Sequence, residues 1–366
     1  MENAIKPTHK IGFSGSYKPE DITFLLKPVE MEATSVSDKE KAIQSGTRHY
    51  SEMISYEKAP GADYMSIFED AMAGSAERMG KEVAELAQAI SAQIDGPITL
   101  ASLVRAGAPL GVLLFRALKV LGHDVEHFGI SIIRDRGLDR SAMEYMIETR
   151  PSAELIFVDG WTGKGAISGE LARSFSDYSD EEPKMVVLAD PCGKAWLAAS
   201  GEDWLIPSGI LGSTVSGLIS RTILNDDVVG PDDFHACVKW DHLAEHDISR
   251  QFIEQVWQYT AMSLETAVPS VWSKAKNIFV TIMAEGAVNW VVEKHNVTNI
   301  NRVKPGIAEA TRAILRRMPE KVFVSSPDDP ELAALMHLIE KNNVPYEVVP
   351  EQIEPYRAIT LIRKVS

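Results

Sequence analysis

Short apolar runs alternate with amphipathic segments through the middle of the chain. Between residues 63 and 92 apolar side chains recur at helical spacing, which predicts one long helix with a buried stripe formed by Met72, Met79, Val83, Leu86 and Ile90. The next hundred residues predict strands at 98–104, 125–133, 154–159 and 185–190, separated by helices at 110–121, 140–149 and 164–175. This alternation predicts an α/β fold, a parallel sheet with helices on both faces.

A second α/β alternation follows a predicted helix at 248–268. It predicts helices at 285–295, 306–317 and 329–342, and strands at 278–283, 321–325, 345–349 and 357–363. We therefore expect two domains, residues 1–268 and 271–366, with an extension to about residue 60 and a first core over about 63–200. The charge also divides here, since the second domain has 13 Lys and Arg against 11 Asp and Glu, whereas the whole chain carries −15.

Composition narrows the class of protein. The chain has 366 residues, of which 45% are hydrophobic and 24% charged, as in a soluble globular protein. No run of eighteen apolar residues predicts a membrane span, and residues 1–6 lack the apolar core of a signal peptide. Two cysteines make neither a disulfide framework nor a zinc quartet. We expect a cytoplasmic protein with no membrane partner, and the net charge argues against nonspecific binding of nucleic acid.

Residues 154–166 combine an apolar strand, an acidic residue and a glycine-rich turn before a helix. The turn offers backbone N–H groups at a helix N-terminus, where an anion is favoured, and it adds a hydroxyl and a cation. An ordinary strand-to-helix bend is the alternative, whereas the spacing of the glycines does not fit a nucleotide triphosphate loop. The predicted phosphate-binding residues are Gly160, Trp161, Thr162, Gly163, Lys164, Gly165 and Ala166.

Two further loops follow predicted strands upstream. The first has Val104, Arg105, Ala106 and Gly107, where a cation and freed amides suit a departing anion. The second is the charged cluster Arg134, Asp135 and Arg136.

In order and content, these loops resemble those of type I phosphoribosyltransferases. The resemblance implies that residues 104–107 bind pyrophosphate, that residues 134–136 form a mobile loop, and that residues 160–166 bind the 5′-phosphate. It makes Asp159 and Arg105 the catalytic residues, Asp159 holding the ribose hydroxyls. Gly160 stands where many members carry a second acid.

More narrowly, the chain resembles the phosphoribosyltransferase-like family of tellurium-resistance and stress clusters, which also carries the label cysteine protease StiP. The resemblance rests on residues 13–17, 43–52 and 206–222 in addition to the three loops. It implies Mg²⁺-dependent transfer of a phosphoribosyl group from phosphoribosyl pyrophosphate to an unknown acceptor, or the reverse reaction starting from a nucleotide. The reaction would serve the synthesis of a nucleoside-like metabolite. No protein ligand set for the metal stands out, although Asp159 is a candidate.

A hood-like segment at about 200–255 would cover the acceptor in this family, and a homodimer is the expected assembly. The candidate acceptor pocket comprises Arg48, His49, Tyr50, Ser208, Ser216 and Arg221.

The second domain resembles Pelota or L7Ae-type RNA-binding folds over residues 304–314. The resemblance implies an RNA-binding face formed by Arg302, Lys304, Arg312, Arg316 and Arg317. The alternative is that these residues form a solvated helix face on a domain that only packs against the first. If the face does bind RNA, a non-catalytic sugar-phosphate sensor with an RNA-binding tail is a further candidate function.

A cysteine protease or thiol hydrolase remains the other alternative. Its nucleophile would be Cys192 or Cys237, activated by a histidine and an orienting group. The candidate partners are His49, His127, His235 and His242.

Overall fold

The computed structural model describes residues 12–272 and 274–364. In chain order its strands are β1 Thr23–Phe24, β2 Lys27–Pro28, β3 Ile98–Leu103, β4 Val125–Ile130, β5 Ile132–Ile133, β6 Gly137–Leu138, β7 Glu154–Val158, β8 Lys184–Ala189, β9 Leu197–Ser200, β10 Ala236–Cys237, β11 Val303–Pro305, β12 Pro319–Val324, β13 Tyr346–Val348 and β14 Ala358–Ile362. Its helices are α1 Val36–Ser45, α2 Ala62–Ser91, α3 Gly107–Val120, α4 Arg140–Thr149, α5 Ala166–Phe175, α6 Pro207–Ile210, α7 Ser249–Ser263, α8 Lys274–Lys294, α9 Ile307–Arg316, α10 Ala333–Lys341 and α11 Pro350–Ile353.

A parallel six-stranded sheet in the order β1-β4-β3-β7-β8-β9 organises the first part of the chain. Alternate residues of its central strands point to opposite faces. Ile98 and Leu100 join the core cluster that contains residues of α2, α3 and α7, whereas Ala101 and Leu103 join the cluster with α4 and α5. The predicted α/β fold, with helices on both faces, is confirmed. The predicted stripe along α2 is buried as expected.

The order of the strands creates a crevice at their carboxyl ends. From β3 the chain passes to β4 on one side and then returns to β7 on the other, so the connections diverge between β3 and β7. Ligands of open parallel sheets bind at such a divergence. The loops at 104–107 and 159–165 both begin at this point.

A smaller mixed sheet in the order β11-β14-β12-β13 forms the C-terminal domain. One predicted strand there is wrong, because residues 278–283 lie within the continuous helix α8. Their β-branched run is typical of a strand. However, Ala284, Ala287, Val288 and Val291 recur at helical spacing and pack against β11, β12 and β14, and that packing outweighs the local preference.

The two domains share one apolar core. Ile307 and Ile314 of α9, with Leu335 and Leu338 of α10, belong to the same cluster as the residues of α2 and α3. Gly163 O accepts a hydrogen bond from Tyr356 Oη at 2.8 Å, across the same boundary. Among the described residues, no helix is both long and apolar enough to cross a bilayer.

Asp203, which follows β9, caps a helix of the other domain. Its buried carboxylate accepts hydrogen bonds from the Ile307 N–H at 3.0 Å and the Arg357 N–H at 2.8 Å. One of the free N–H groups in the first turn of α9 is thus satisfied from outside its own domain.

Asp203→Ala should therefore loosen the C-terminal domain. The buried Ile307 N–H and the half-buried Arg357 N–H would lose their acceptor, and the buried group alone would cost about 1–3 kcal/mol. We expect earlier urea unfolding and faster hydrogen exchange in α9 than in the wild type. Asp328→Ala, which changes an exposed carboxylate of the same domain, is the matched control. Equal unfolding midpoints for Asp203→Ala and the wild type would contradict the assigned role.

Candidate active site

The crevice opens into a cavity of about 730 Å³ that lies between the two domains. Its walls come from the loops after β3 and β7, the hairpin β5–β6, the N-terminal segment and the C-terminal domain. This volume is in the range of small-molecule sites in proteins.

The loop after β3 is pressed against the end of β7. A Cβ atom at Gly107 would lie 2.0 Å from the Val158 carbonyl oxygen, so only glycine allows this approach. The Val104–Arg105 peptide is cis. Val104, Arg105 and Ala106 line the cavity, whereas Gly107 is buried beneath them. Within the described chain, the backbone N–H groups of Arg105 and Ala106 have no hydrogen-bond acceptor, so they remain available to a ligand.

The guanidinium of Arg105 serves the protein scaffold. It donates to the Ile219 carbonyl at 2.7 Å and forms an ion pair with Glu57 at 2.8 Å. Burial alone would raise the pKa of Glu57, but Arg105, Arg316 and the Ser213 N–H lower it to about 2. Glu57 was not predicted from the sequence, since it lies in a segment without clear periodicity. The predicted pyrophosphate loop therefore directs backbone N–H groups to the cavity, whereas the Arg105 guanidinium is already paired with Glu57.

The loop after β7 leads directly into α5. Gly165 has a φ of 80°, a left-handed conformation that glycine adopts without strain, and it is followed by the first helical residue. The N–H groups of Gly163, Lys164 and Gly165 donate to no described residue. Three successive free amides at the N-terminus of a ten-residue helix form a favourable place for an anion.

Two polar side chains of this loop point elsewhere than the resemblance implies. The Thr162 hydroxyl donates to Asp190 Oδ1 at 2.6 Å and is buried. The Lys164 ammonium donates to the carbonyls of Ile300 and Val303 at 2.7 and 2.9 Å. Both residues line the cavity, but these contacts hold the loop against β8 and the C-terminal domain.

Asp159 lies between the two loops at the end of β7. Its Oδ1 accepts a hydrogen bond from the Gly160 N–H at 2.8 Å. Burial raises its pKa to about 7, against the smaller opposing effects of that N–H and of Arg312. An acid that titrates near neutrality in a cleft is a common property of functional carboxylates.

The predicted mobile loop is a tight turn. Arg134, Asp135 and Arg136 close the hairpin of β5 and β6 and line the cavity. The Arg134 N–H donates to Tyr50 Oη at 2.8 Å, and the Asp135 N–H donates to Glu170 Oε2 at 2.8 Å. In this structure the turn forms part of the cavity wall, and its predicted mobility stays a prediction.

The predicted acceptor pocket is brought together only in part. Arg48, His49, Tyr50 and Arg221 line the cavity, and the Tyr50 ring lies 5.3 Å from the guanidinium carbons of both Arg134 and Arg221. The other two predicted residues, Ser208 and Ser216, are buried away from it, in α6 and in the loop that follows. Their serine-rich surroundings gave no indication of burial.

The predicted RNA-binding face lines the same cavity. Arg302, Lys304, Arg312, Arg316 and Arg317 all border it from the C-terminal side. Arg312 lies 4.5 Å above the ring of Trp161, and its Nε donates to the Gly209 carbonyl at 3.1 Å. These basic residues face the first domain, so the expected open face is an interior wall.

Cations outnumber carboxylates around this cavity by twelve to four. Some are paired within the protein, as Arg317 is with Glu40. In the described part of the chain, six have no carboxylate within ion-pair distance: Lys39, Lys164, Arg221, Lys304, Arg312 and Arg316. Lys39 was not anticipated from the sequence.

The excess charge is visible in the pKa values. Burial, with the neighbouring cations, lowers the pKa of Lys39 to about 7, of Lys164 to about 6 and of Lys304 to about 8. Burial, with Arg105 and Arg312 nearby, lowers the pKa of Arg316 to about 9. Unpaired buried charges of one sign are costly, and an anionic ligand would relieve the cost.

Neither cysteine has the surroundings of a nucleophile. Cys192 and Cys237 are 2% and 0% exposed. Burial raises the pKa of both thiols to about 12. No hydrogen bond between a thiol and a histidine occurs among the described residues, and the Cys192 Sγ approaches Asp190 Oδ1 at 3.9 Å. Activated cysteines instead have a lowered pKa and a neighbouring base or cation.

Cys192 nevertheless borders a second, smaller cavity of about 300 Å³ behind the phosphate loop. Lys194, Glu285 and Tyr356 also border this cavity.

Among the residues described, no group of three or more His, Cys, Asp and Glu side chains could hold a metal ion by itself. Asp159 and Glu309 are the carboxylates that face the loops within the cavity. This set fits Mg²⁺ held mainly by ligand phosphates, which is how Mg²⁺ is commonly bound with phosphorylated substrates.

Comparison with known proteins identifies the family. Residues 15–257 match the family model described as tellurite-like stress resistance cysteine protease StiP, and residues 282–364 match the PELOTA RNA binding domain. A relative from Acinetobacter baylyi (strain ATCC 33305 / BD413 / ADP1), named cysteine protease StiP, is 48% identical over 98% of this chain and 96% of its own.

Solved structures give much weaker likenesses. A hypoxanthine-guanine phosphoribosyltransferase from Bacillus anthracis str. 'Ames Ancestor' is 15% identical with a TM-score of 0.28, covering 37% of this chain and 84% of that one. A hypoxanthine phosphoribosyltransferase of Trypanosoma cruzi is 15% identical with a TM-score of 0.27, covering 36% and 81%. The family assignment rests on the sequence matches alone: the chain belongs to the StiP family and carries a C-terminal Pelota domain.

Proposed function

We propose that the protein transfers a phosphoribosyl group between phosphoribosyl pyrophosphate and an acceptor, in either direction. The observation that carries the proposal is the pair of adjacent loops with free amides, which faces a cavity lined by unpaired cations. A sugar that bears phosphate at one end and pyrophosphate at the other would place one anion at each loop. The synthesis of a nucleoside-like metabolite in stress resistance is the corresponding role.

Each element has a task in this reaction. The amides of residues 163–165 and the dipole of α5 would bind the 5′-phosphate. The amides of Arg105 and Ala106 would receive the leaving pyrophosphate as its bond to the anomeric carbon breaks. Asp159 would accept hydrogen bonds from the ribose hydroxyls and stabilise the cationic character that develops on the ring, as carboxylates do in other glycosyl transfers.

Mg²⁺ would be held by the pyrophosphate oxygens with Asp159 and Glu309 as the nearest carboxylates. Bound there, it would neutralise part of the charge on the leaving group. The absence of a second acid at position 160 leaves Asp159 as the sole carboxylate that begins this loop.

A thiol hydrolase is the second candidate, and the name of the Acinetobacter relative favours it. The burial and raised pKa of both thiols count against this candidate. A third candidate, a sensor that binds a sugar phosphate without turnover, would share the same binding residues and differ only in lacking product.

The titration of Asp159 gives a first prediction. Since its folded-state pKa is raised to about 7, the stability that the neutral acid contributes is fully present below about pH 4 and is lost as the pH rises through about 7. Asp159→Asn cannot ionise. We expect the free energy of unfolding of the variant, minus that of the wild type, to increase by about 1 kcal/mol per pH unit between pH 5 and 7. Urea unfolding of both proteins at each pH is the measurement, and a constant difference would refute the raised pKa.

Ligand binding gives a second prediction. Phosphoribosyl pyrophosphate with Mg²⁺, at a hundredfold over its dissociation constant, should stabilise the wild type by about 2.7 kcal/mol and raise its unfolding temperature by about 3–4 °C, since the two domains share one core. In screens with different acceptors, the wild type should release pyrophosphate and Asp159→Asn should not. The exposed control Asp232→Asn should release it as the wild type does. Ribose 5-phosphate and pyrophosphate, tested separately, should each give a smaller shift.

The possible outcomes separate the candidates. Full turnover by Asp159→Asn would exclude the assigned role, and no shift at millimolar ligand would exclude the transferase. A shift without product in every screen would instead favour the sensor.

The cysteines give a third prediction. Because both thiols are buried with raised pKa values, iodoacetamide should alkylate them far more slowly in the native protein than in urea. Cys192→Ala and Cys237→Ala should leave the response to phosphoribosyl pyrophosphate intact. Rapid native labelling of Cys192, together with peptide hydrolysis that Cys192→Ala abolishes, would establish the thiol hydrolase instead.

A further inference from the structure

The wall of the cavity formed by the C-terminal domain has its own unpaired cations. Arg312 and Arg316 lie one helical turn apart on α9, and Lys304 lies on the adjoining strand β11. All three border the cavity, and no carboxylate of the described residues pairs with them. In the same described part of the chain, Arg316 and Lys304 donate no side-chain hydrogen bond, and Arg312 donates only through Nε.

The position of this wall is fixed. Asp203 caps α9, the Lys164 ammonium bonds to Ile300 and Val303, and the Tyr356 hydroxyl bonds to Gly163. The two domains also share an apolar core. The three cations therefore face the phosphate loops across the cavity as part of the folded protein.

We propose that Lys304, Arg312 and Arg316 form a second anion subsite, which binds a phosphate or carboxylate of the acceptor. The assignment of this anion to an acceptor rests on the proposed transferase function, whereas the subsite itself does not. In the proposed function, the free amides of the loops after β3 and β7 bind the two anionic ends of the donor, phosphoribosyl pyrophosphate. Guanidinium groups with unused N–H donors suit the planar carboxylate or the phosphate of a second molecule. The Trp161 ring lies under the Arg312 guanidinium and helps to hold it at the cavity wall.

RNA does not fit this wall. A bound single strand needs a continuous basic groove with aromatic platforms that its bases can reach. Here the basic residues are enclosed between two domains, in a cavity of about 730 Å³. A small anionic acceptor fits this volume, whereas a folded RNA exceeds it.

The experiment uses the full chain and inorganic phosphate as the probe. Thermal unfolding and calorimetric titration are measured with phosphate alone, and then with phosphate after saturation by phosphoribosyl pyrophosphate and Mg²⁺. We expect phosphate to add a shift in both conditions. In the double variant Arg312→Gln with Arg316→Gln, the phosphate affinity should fall by about tenfold or more, because two charge-assisted donors are lost. The affinity for phosphoribosyl pyrophosphate should fall by a clearly smaller factor, because its two anionic ends bind the free amides of the loops.

The single variant Arg316→Gln adds a readout that a structural role would not give. Because it removes an unpaired buried charge, the unliganded variant should unfold at the same or a higher temperature than the wild type, although it binds phosphate more weakly. Arg316→Lys should restore part of the phosphate affinity. Arg363→Gln, an exposed change on the same domain, is the matched control and should alter neither quantity.

Three results would overturn the subsite. The first is an unchanged phosphate affinity in the double variant. The second is loss of the phosphoribosyl pyrophosphate response in that variant, which would make these cations part of the donor site. The third is tight binding of an RNA oligonucleotide that the double variant abolishes while phosphate has no effect. If phosphoribosyl pyrophosphate causes no shift in the wild type, the transferase fails, yet the phosphate arm still tests the subsite.

Discussion

The central constraint on this structure is a cluster of positive side chains around one cavity, which the carboxylates of the protein do not fully neutralise. Six buried or half-buried cations meet at one cavity without a carboxylate partner among the described residues, although the chain as a whole carries −15. Burial depresses the pKa of each, so the unliganded fold bears an electrostatic cost. Such a cost is retained where a ligand offsets it.

That cluster of positive charge is built from both domains, and neither would create it alone. The first domain supplies the parallel sheet, whose divergent strand order brings two glycine-containing loops together. The second supplies α9, whose apolar face joins the core of the first while its basic residues border the cavity. The Pelota domain of this chain is thus part of the wall of the site, a different arrangement from an appended tail.

Local pattern was sufficient for much of the architecture. The buried runs at β3, β7 and β8, and the stripe along α2, each follow from periodicity, since every such segment buries a face determined by its own spacing. The two principal loops were found because each places glycine and a cation between an apolar strand and a helix. Helix α1 was missed, although Ser35 caps it through the Asp38 N–H, a signal that the sequence does contain. The strand expected at 278–283 failed because helical packing outweighed β-branched composition.

Long-range pairing explains the other differences. Nothing near Arg105 in sequence indicates that its guanidinium would bond to Glu57 and Ile219, and nothing near Thr162 indicates Asp190. The burial of Ser208 and Ser216, and the inward direction of Arg312 and Arg316, likewise arise only when distant segments dock. Backbone groups at the loops were therefore easier to anticipate than the roles of the side chains beside them.

The shared apolar core has a consequence for how molecules reach the cavity. Swinging the C-terminal domain away would expose Ile307, Ile314 and Leu335 together with their partners on α2, and the hydrophobic cost of that exposure would be large. Ligands must then enter through the existing opening of the cavity. They pass Arg48 and Arg136, both of which are ion-paired to Glu52. A ligand would thus be admitted by its size and charge at this rim, without opening the interface between the domains.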